Sequence, residues 1–159
     1  MKTLFQKMLI ACGLLAIMGV ATADSGTKAG LTLTPAEMKW EPSARIPGLE
    51  TADIVGTGAG KNPGPYVYRV KYPANFKLQA HGHPDERTYV VLGGTIYVGW
   101  GKKFDETKLK ALPPGSYWVE PANIVHFLMT KDESVVLHIT GTGPTAVNYA
   151  DPAHESKKK

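Results

Sequence analysis

Apolar and polar positions alternate at period two through most of this chain, in short runs that end at Gly, Pro, Asn or Asp. Such alternation turns one face of an extended strand inward, and the runs are rich in Val, Ile, Tyr and Thr, which suit a pleated, half-buried surface. The pattern predicts strands over 53–55, 66–72, 78–83, 88–92, 95–99, 116–120, 126–129 and 135–140. Asn62-Pro63-Gly64-Pro65, Gly93-Gly94, Pro113-Pro114-Gly115 and Lys131-Asp132-Glu133 supply turns between them. Thr34-Pro35-Ala36-Glu37 predicts one capped helical turn, and 104–109 reads as a lid-like loop. Gly56-Thr57-Gly58-Ala59-Gly60 has no helix pattern after it and reads as a turn, not a phosphate loop. No long helical period and no internal repeat occurs. The chain is predicted to be all-β, a sandwich or barrel.

One stretch departs from this pattern. Residues 8–20 are continuously apolar, preceded by Lys2 and Lys7 and followed by Ala21-Thr22-Ala23. A basic start, a short apolar core and a small-x-small end make a secretory signal, with cleavage expected after Ala23 and a periplasmic or secreted product. A lipoprotein reading of Leu9-Ile10-Ala11-Cys12 leaves too short an apolar core before the cysteine. A retained anchor would need about 18–20 apolar residues. Removal of 1–23 leaves 136 residues, enough for one domain with its own core. Cys12 is the only cysteine, so the remaining chain has neither disulfides nor thiol chemistry. Two of the 18 basic residues also leave, and 16 basic against 14 acidic give a net charge of +2. Lys157-Lys158-Lys159 is the one basic run and reads as a solvated end, so no nucleic-acid partner is expected, and no membrane once the signal is gone.

The chemistry is concentrated in His81-Gly82-His83-Pro84-Asp85-Glu86 and in Pro121-Ala122-Asn123-Ile124-Val125-His126. Histidines one residue apart share a face only on a strand. Two imidazoles from one strand and a third from another make a metal site with open coordination positions. The plain alternative is three unrelated polar residues on a half-exposed sheet, which the shared spacing argues against. Neutral imidazole suits Fe, Mn, Zn, Ni and Cu, so one divalent transition metal is expected without a choice among them.

These two motifs resemble those of a single-domain cupin, G(X)5HXH(X)3-4E(X)6G and G(X)5PXG(X)2H(X)3N. The first runs here from Asn75 through His81-Gly82-His83 and Glu86-Arg87 to Gly93-Gly94. The second runs from Gly115 through Pro121-Ala122-Asn123 and His126 to Thr130. Asn75 and Asn123 replace two motif glycines, and Asn is the side chain that best tolerates positive φ. The stretches 77–87 and 141–144 are similar to those of small secreted bacterial cupins of unsettled activity. The resemblance implies a cupin-type double-stranded β-helix, or jelly-roll barrel. On that basis the chain divides into a signal peptide at 1–23, an N-terminal extension at 24–39, a barrel at 40–143 and a tail at 144–159. It also implies homodimers paired through sheet edges.

The motif glutamate is displaced, and two readings stand open. Counting back from Gly94 puts Arg87 in its slot and turns Arg87, Tyr89 and Val91 inward. Counting back from Gly93 gives the slot to Glu86. A carboxylate is the better neighbour for a metal ion, so the expected ligands are His81, His83, Glu86 and His126. An inward Arg87 would instead hold an anionic substrate, against the plain alternative of a surface ion pair with Asp85 or Glu106. Glu86, Arg87 and His138 are the candidate catalytic groups, although His138 on an apolar strand also suits a hydrogen-bonded core position. Tyr66, Tyr68, Tyr97, Tyr117, Trp118 and Phe127 are candidates to line a cavity. What cupins do implies a dioxygenase, isomerase or lyase acting on a small organic molecule. The other reading is a metal- or ligand-binding sensor without turnover, since fold does not decide between them.

Overall fold

The computed structural model describes residues 30–56 and 63–155. The predicted signal segment, Cys12, most of the glycine-rich stretch and Lys157-Lys158-Lys159 lie outside the described residues. The chain divides into an N-terminal unit, Met1–Thr32, and a second unit, Leu33–Lys159, which carries every element named below.

Eleven strands are described: β1 (Glu41–Pro42), β2 (Glu50–Val55), β3 (Gly64–Tyr72), β4 (Lys77–Gly82), β5 (Arg87–Gly93), β6 (Ile96–Trp100), β7 (Lys110–Leu112), β8 (Tyr117–Glu120), β9 (His126–Met129), β10 (Val135–Gly143) and β11 (Asn148–Tyr149). One sheet has the order β1-β2-β3-β10-β5-β8 and the other β11-β4-β9-β6-β7. All pairings are antiparallel. Among the described residues the two sheets share no strand pairing, so this is an open jelly roll and not a closed barrel.

Period-two alternation determines what lies between the sheets. Tyr66, Tyr68, Val70 and Tyr72 of β3, Tyr89 and Val91 of β5, and Leu137 and Ile139 of β10 turn inward. They meet Leu78 of β4, Ile96 and Val98 of β6, and Leu128 of β9. Burying each large apolar side chain contributes roughly 1.5–3 kcal/mol, and this shared core joins the sheets.

The all-β expectation holds, and each predicted strand is present with ends shifted by up to three residues. β1, β7 and β11 were not predicted, because two or three residues are too few to show alternation. The lid-like loop at 104–109 contains a 3-10 turn, Glu106–Lys108, capped by the Asp105 carboxylate, which accepts from the Thr107 amide at 3.0 Å. The turn at Pro35–Glu37 forms as expected, with Glu37 accepting from both the amide and the hydroxyl of Thr34. Residues 144–149, assigned to a tail by sequence, belong to the fold: β11 pairs with β4, placing Asn148 opposite Gly82 and Tyr149 opposite His81.

Asn75 and Asn123 adopt φ of 56° and 64°, the conformation their motif positions require. The Asn75 turn is fastened by Thr130, whose hydroxyl donates to the Pro73 carbonyl at 2.6 Å and accepts from the Phe76 amide at 2.9 Å. At the β5–β6 turn only Gly94 has positive φ, 70°, and a Cβ there would lie 2.3 Å from the Ser134 carbonyl oxygen. A Cβ on Gly93 would meet nothing within 4 Å. Gly94→Ala is therefore expected to cost about 1–3 kcal/mol of stability through strain and overlap. Gly93→Ala should cost about 0.5 kcal/mol or less. Denaturant unfolding midpoints of the two variants check this, and equal midpoints would show that Gly94 is not the turn glycine.

Candidate metal centre

Three imidazoles converge between the sheets because β4 carries an irregularity. Leu78 pairs with Leu128 and His81 with His126, so three residues of β4 span two of β9. Strict alternation would turn His81 away from the side Leu78 occupies. The extra residue re-aims it inward, as bulges beside functional sites do. The Gln79 carbonyl, two residues back, accepts from His81 Nδ1 at 2.7 Å. His83 follows the end of β4, and its Nδ1 donates to the Ala146 carbonyl at 2.6 Å. Because a carbonyl only accepts, both rings carry their proton on Nδ1 and keep the Nε2 lone pair.

The turn before β9 delivers His126. The Asn123 amide donates to the His83 carbonyl at 2.7 Å, tying the second motif to the first. Gly82 permits this approach, since a Cβ there would lie 3.1 Å from the Ile124 carbonyl oxygen. Ring centroids are 4.2 Å apart for His81 and His126, 5.0 Å for His81 and His83, and 5.4 Å for His83 and His126.

All three side chains are buried, and one nitrogen from each lies within 4.8 Å of the others. Burial, with His126 adding to it, pushes the His81 imidazole down to about 3. Burial and then the Arg87 charge put His83 well below its ordinary value. Both are neutral near pH 7, the form that binds metal. His83 Nε2 and both ring nitrogens of His126 have no hydrogen-bond partner although buried. Such orphans cost about 1–3 kcal/mol each, and a metal ion among them is the group that satisfies imidazole lone pairs. The donor set fits a divalent transition metal.

A carboxylate missed by the sequence reading lies beside the cluster. Glu120 ends β8 and shares the inward face of Trp118. Its Oε2 accepts from the Tyr89 hydroxyl at 2.6 Å and its Oε1 from Trp118 Nε1 at 3.1 Å. Oε1 lies 2.9 Å from His126 Nε2, and Oε2 lies 3.6 Å from His83 Nε2. Burial raises its carboxyl, but His126 and the Tyr89 and Trp118 hydrogen bonds outweigh that and hold it below the usual range.

Arg87, opposite Glu120 in the β5–β8 register, also turns inward and is 2 % exposed. Its Nη2 donates to Asp85 Oδ1 at 2.9 Å and to the Thr145 hydroxyl. Asp85 accepts in turn from the Tyr66 hydroxyl. The three histidines and Arg87 line one cavity of about 30 Å³, together with Ser43, Arg45 and Ile46 from the β1–β2 loop. That volume holds about two water molecules.

The sequence profile of the ChrR cupin-like domain family matches residues 28–146. The chain belongs to this cupin family. Solved structures with the same fold include the polyketide cyclase RemF from Streptomyces resistomycificus, with TM-score 0.63, 14 % identity, 79 % of this chain covered and 89 % of that one. The DMSP lyase DddQ from Ruegeria pomeroyi DSS-3 gives 0.58, 20 %, 81 % and 75 %. A sugar phosphate isomerase of the cupin superfamily from Silicibacter pomeroyi DSS-3 gives 0.57, 17 %, 76 % and 82 %. At these identities the likeness concerns the fold. No curated protein sequence matches the chain.

Set against the cupin motifs, the structure brings His81, His83 and His126 together and leaves Glu86 outside. Glu86 is exposed and immediately precedes β5, next to the inward Arg87. This corrects the expectation of Glu86 as a ligand. Gly94 is the constrained glycine, and counting back from it gives the glutamate slot to Arg87. His138 is also apart from the site. It sits on the outer face of β10 opposite Arg69 and is half-buried, and burial and then Arg69 lower its pKa. Among the six aromatic candidates, Tyr68 lines the cavity. Tyr66 and Trp118 act through Asp85 and Glu120, and Tyr117 is exposed.

Removing one partner of a buried ion pair strands the other charge, at about 3–5 kcal/mol. Asp85→Ala is thus expected to destabilise the cupin by that amount, with Glu86→Ala within about 0.5 kcal/mol of wild type. Chemical denaturation distinguishes them, and an Asp85→Ala variant as stable as wild type would contradict the buried pairing.

Proposed function

We propose that this cupin is an exported, metal-dependent enzyme whose His81, His83 and His126 hold one divalent transition metal. Its substrate is a small organic molecule bearing an anionic oxygen. The observation that carries the reading is the convergence of three buried imidazoles on a cavity that Arg87 also lines. When bound, the metal supplies Lewis-acid polarisation of a substrate oxygen and an exchangeable position for a small ligand.

The chain's own residues do the rest. Gln79 and Ala146 fix the tautomer and orientation of His81 and His83, as partners behind metal-bound imidazoles do. Arg87 is anchored by Asp85 and Thr145 through Nη2, and its buried Nε has no hydrogen-bond acceptor. That N–H is the donor assigned to the substrate's anionic oxygen. Ser43, Arg45 and Ile46 of the β1–β2 loop are partly exposed walls of this cavity, and substrate entry is assigned to them. Dioxygenase, isomerase and lyase chemistry are all compatible with this arrangement.

The second reading, a binding or sensing module without turnover, draws on the small cavity, which admits metal and water without rearrangement. A metabolite thermal-shift screen on the metallated protein separates the two. A ligand that binds the folded state raises Tm by mass action, and its conversion on incubation marks an enzyme.

Elemental analysis of protein from its native compartment should find about one divalent transition metal per chain. Alanine at His81, His83 or His126 should remove most of it, and His138→Ala and His154→Ala should leave it in place. Full metal content in His126→Ala would defeat the assignment. Arg87 lies at the cavity without being a metal donor, so Arg87→Met should retain metal and lose ligand-induced stabilisation. Export is checked by intact mass. A chain starting at Asp24 is expected, and a lipid-modified Cys12 at the N-terminus would refute it.

A further inference from the structure

We propose that Glu120 is the fourth protein ligand of the metal centre. The carboxylate is supplied from the end of β8, outside the first histidine motif. The inference rests on the three-histidine reading above and adds a specific residue to it.

Three observations carry it. The first is distance. Metal–nitrogen and metal–oxygen bonds of about 2.0–2.2 Å place neighbouring donor atoms about 3.0 Å apart at right angles and about 3.4 Å apart in a tetrahedron. Glu120 Oε1 lies 2.9 Å from His126 Nε2, and Oε2 lies 3.6 Å from His83 Nε2. The first separation matches a right-angle edge, and the second is about 0.2 Å longer than a tetrahedral one.

The second is direction. Despite the 2.9 Å separation, His126 Nε2 makes no hydrogen bond. A donor pointing at the oxygen would be near-linear at this distance. Two atoms this close and not aimed at each other are placed as donors to a common third point. The third is support. Tyr89 and Trp118 each donate to one of the two carboxylate oxygens, the kind of support that orients a ligating carboxylate. Glu120 is 1 % exposed, and the net negative charge it brings is what a dication buried with neutral imidazoles lacks. The nearby Arg87 charge is already matched by Asp85.

The test uses the full chain, stripped of metal with a chelator. Zn(II) is titrated into wild type and Glu120→Gln against a chromophoric competitor, and the Co(II) form of the wild type is crystallised. The amide keeps the shape of the side chain and can still accept from Tyr89 and Trp118. Loss of the charge and of a good donor should weaken Zn(II) binding by about 10- to 100-fold or more, the range already reached when second-shell partners are lost. In the cobalt structure a Glu120 oxygen should lie about 2.0–2.2 Å from the metal. Equal Zn(II) affinity in the two proteins, or a cobalt ion on three imidazoles with Glu120 beyond bonding distance, would overturn the inference and leave the three-histidine centre standing. Failure of the wild type to bind either ion would remove the centre itself. If Glu120→Gln does not fold, the cobalt–oxygen distance in the wild type decides.

Discussion

Burying unprotonated imidazole nitrogens that face one another is the constraint around which this molecule is arranged. Each such nitrogen gives up its hydrogen bonds to water, and nothing apolar replaces them. A β-sandwich interior would ordinarily exclude these groups or pair them with hydroxyls. Here the proton-bearing Nδ1 atoms of His81 and His83 are spent on main-chain carbonyls, and the buried His83 Nε2 lone pair is left without a protein donor. A cavity of about 30 Å³ stays open where the lone pairs meet. The arrangement is stable as a metal site and costly as anything else.

Delivering three side chains to one point requires local departures from regular sheet. An unbroken β4 could not present both Leu78 to the core and His81 to the cluster, because their separation is odd. The irregularity between them resolves this conflict, at the expense of ladder pairing at one position. The approach of the Asn123 turn to the His83 carbonyl is the second departure. It uses a left-handed residue at 123, and the glycine at 82 spares the Ile124 carbonyl a tight contact. The third is Ala146, whose carbonyl reaches His83 from beyond β10. The last described stretch of the chain is therefore part of the site's scaffold.

These features differ in how far they could be read beforehand. Period-two alternation located eight strands, since a half-buried sheet writes its faces directly into residue polarity. The two histidine motifs located the cluster, since spacing along strands converts into position. Glu120 escaped because a lone acid at the end of a strand looks like any solvated terminus. The available signal was parity: Glu120 lies two residues from Trp118, on the same buried face. The choice between Glu86 and Arg87 turned on which of two adjacent glycines is the turn glycine. Spacing alone could not settle that, whereas the backbone at Gly94 does. β1, β7 and β11 left no trace, because their pairing is determined by the longer strands they border.

One juxtaposition keeps the charge of Arg87 apart from that of Glu120. Arg87 and Glu120 stand opposite each other on the inner face, and an arginine beside a carboxylate would normally form a bidentate pair with it. Such a pair would consume the lone pairs that face His126 and His83. Asp85 prevents this. Held by Tyr66 and placed two residues before Arg87, it takes the guanidinium in a pair that Thr145 shares. The result is two separated charge systems in one interior: a neutral Arg87–Asp85 pair, and a carboxylate free to face the imidazoles. Asp85 touches no histidine, yet the electrostatic order of the centre depends on it. With arginine in the glutamate slot, a second acid two residues before it takes the guanidinium and leaves Glu120 to its Tyr89 and Trp118 partners.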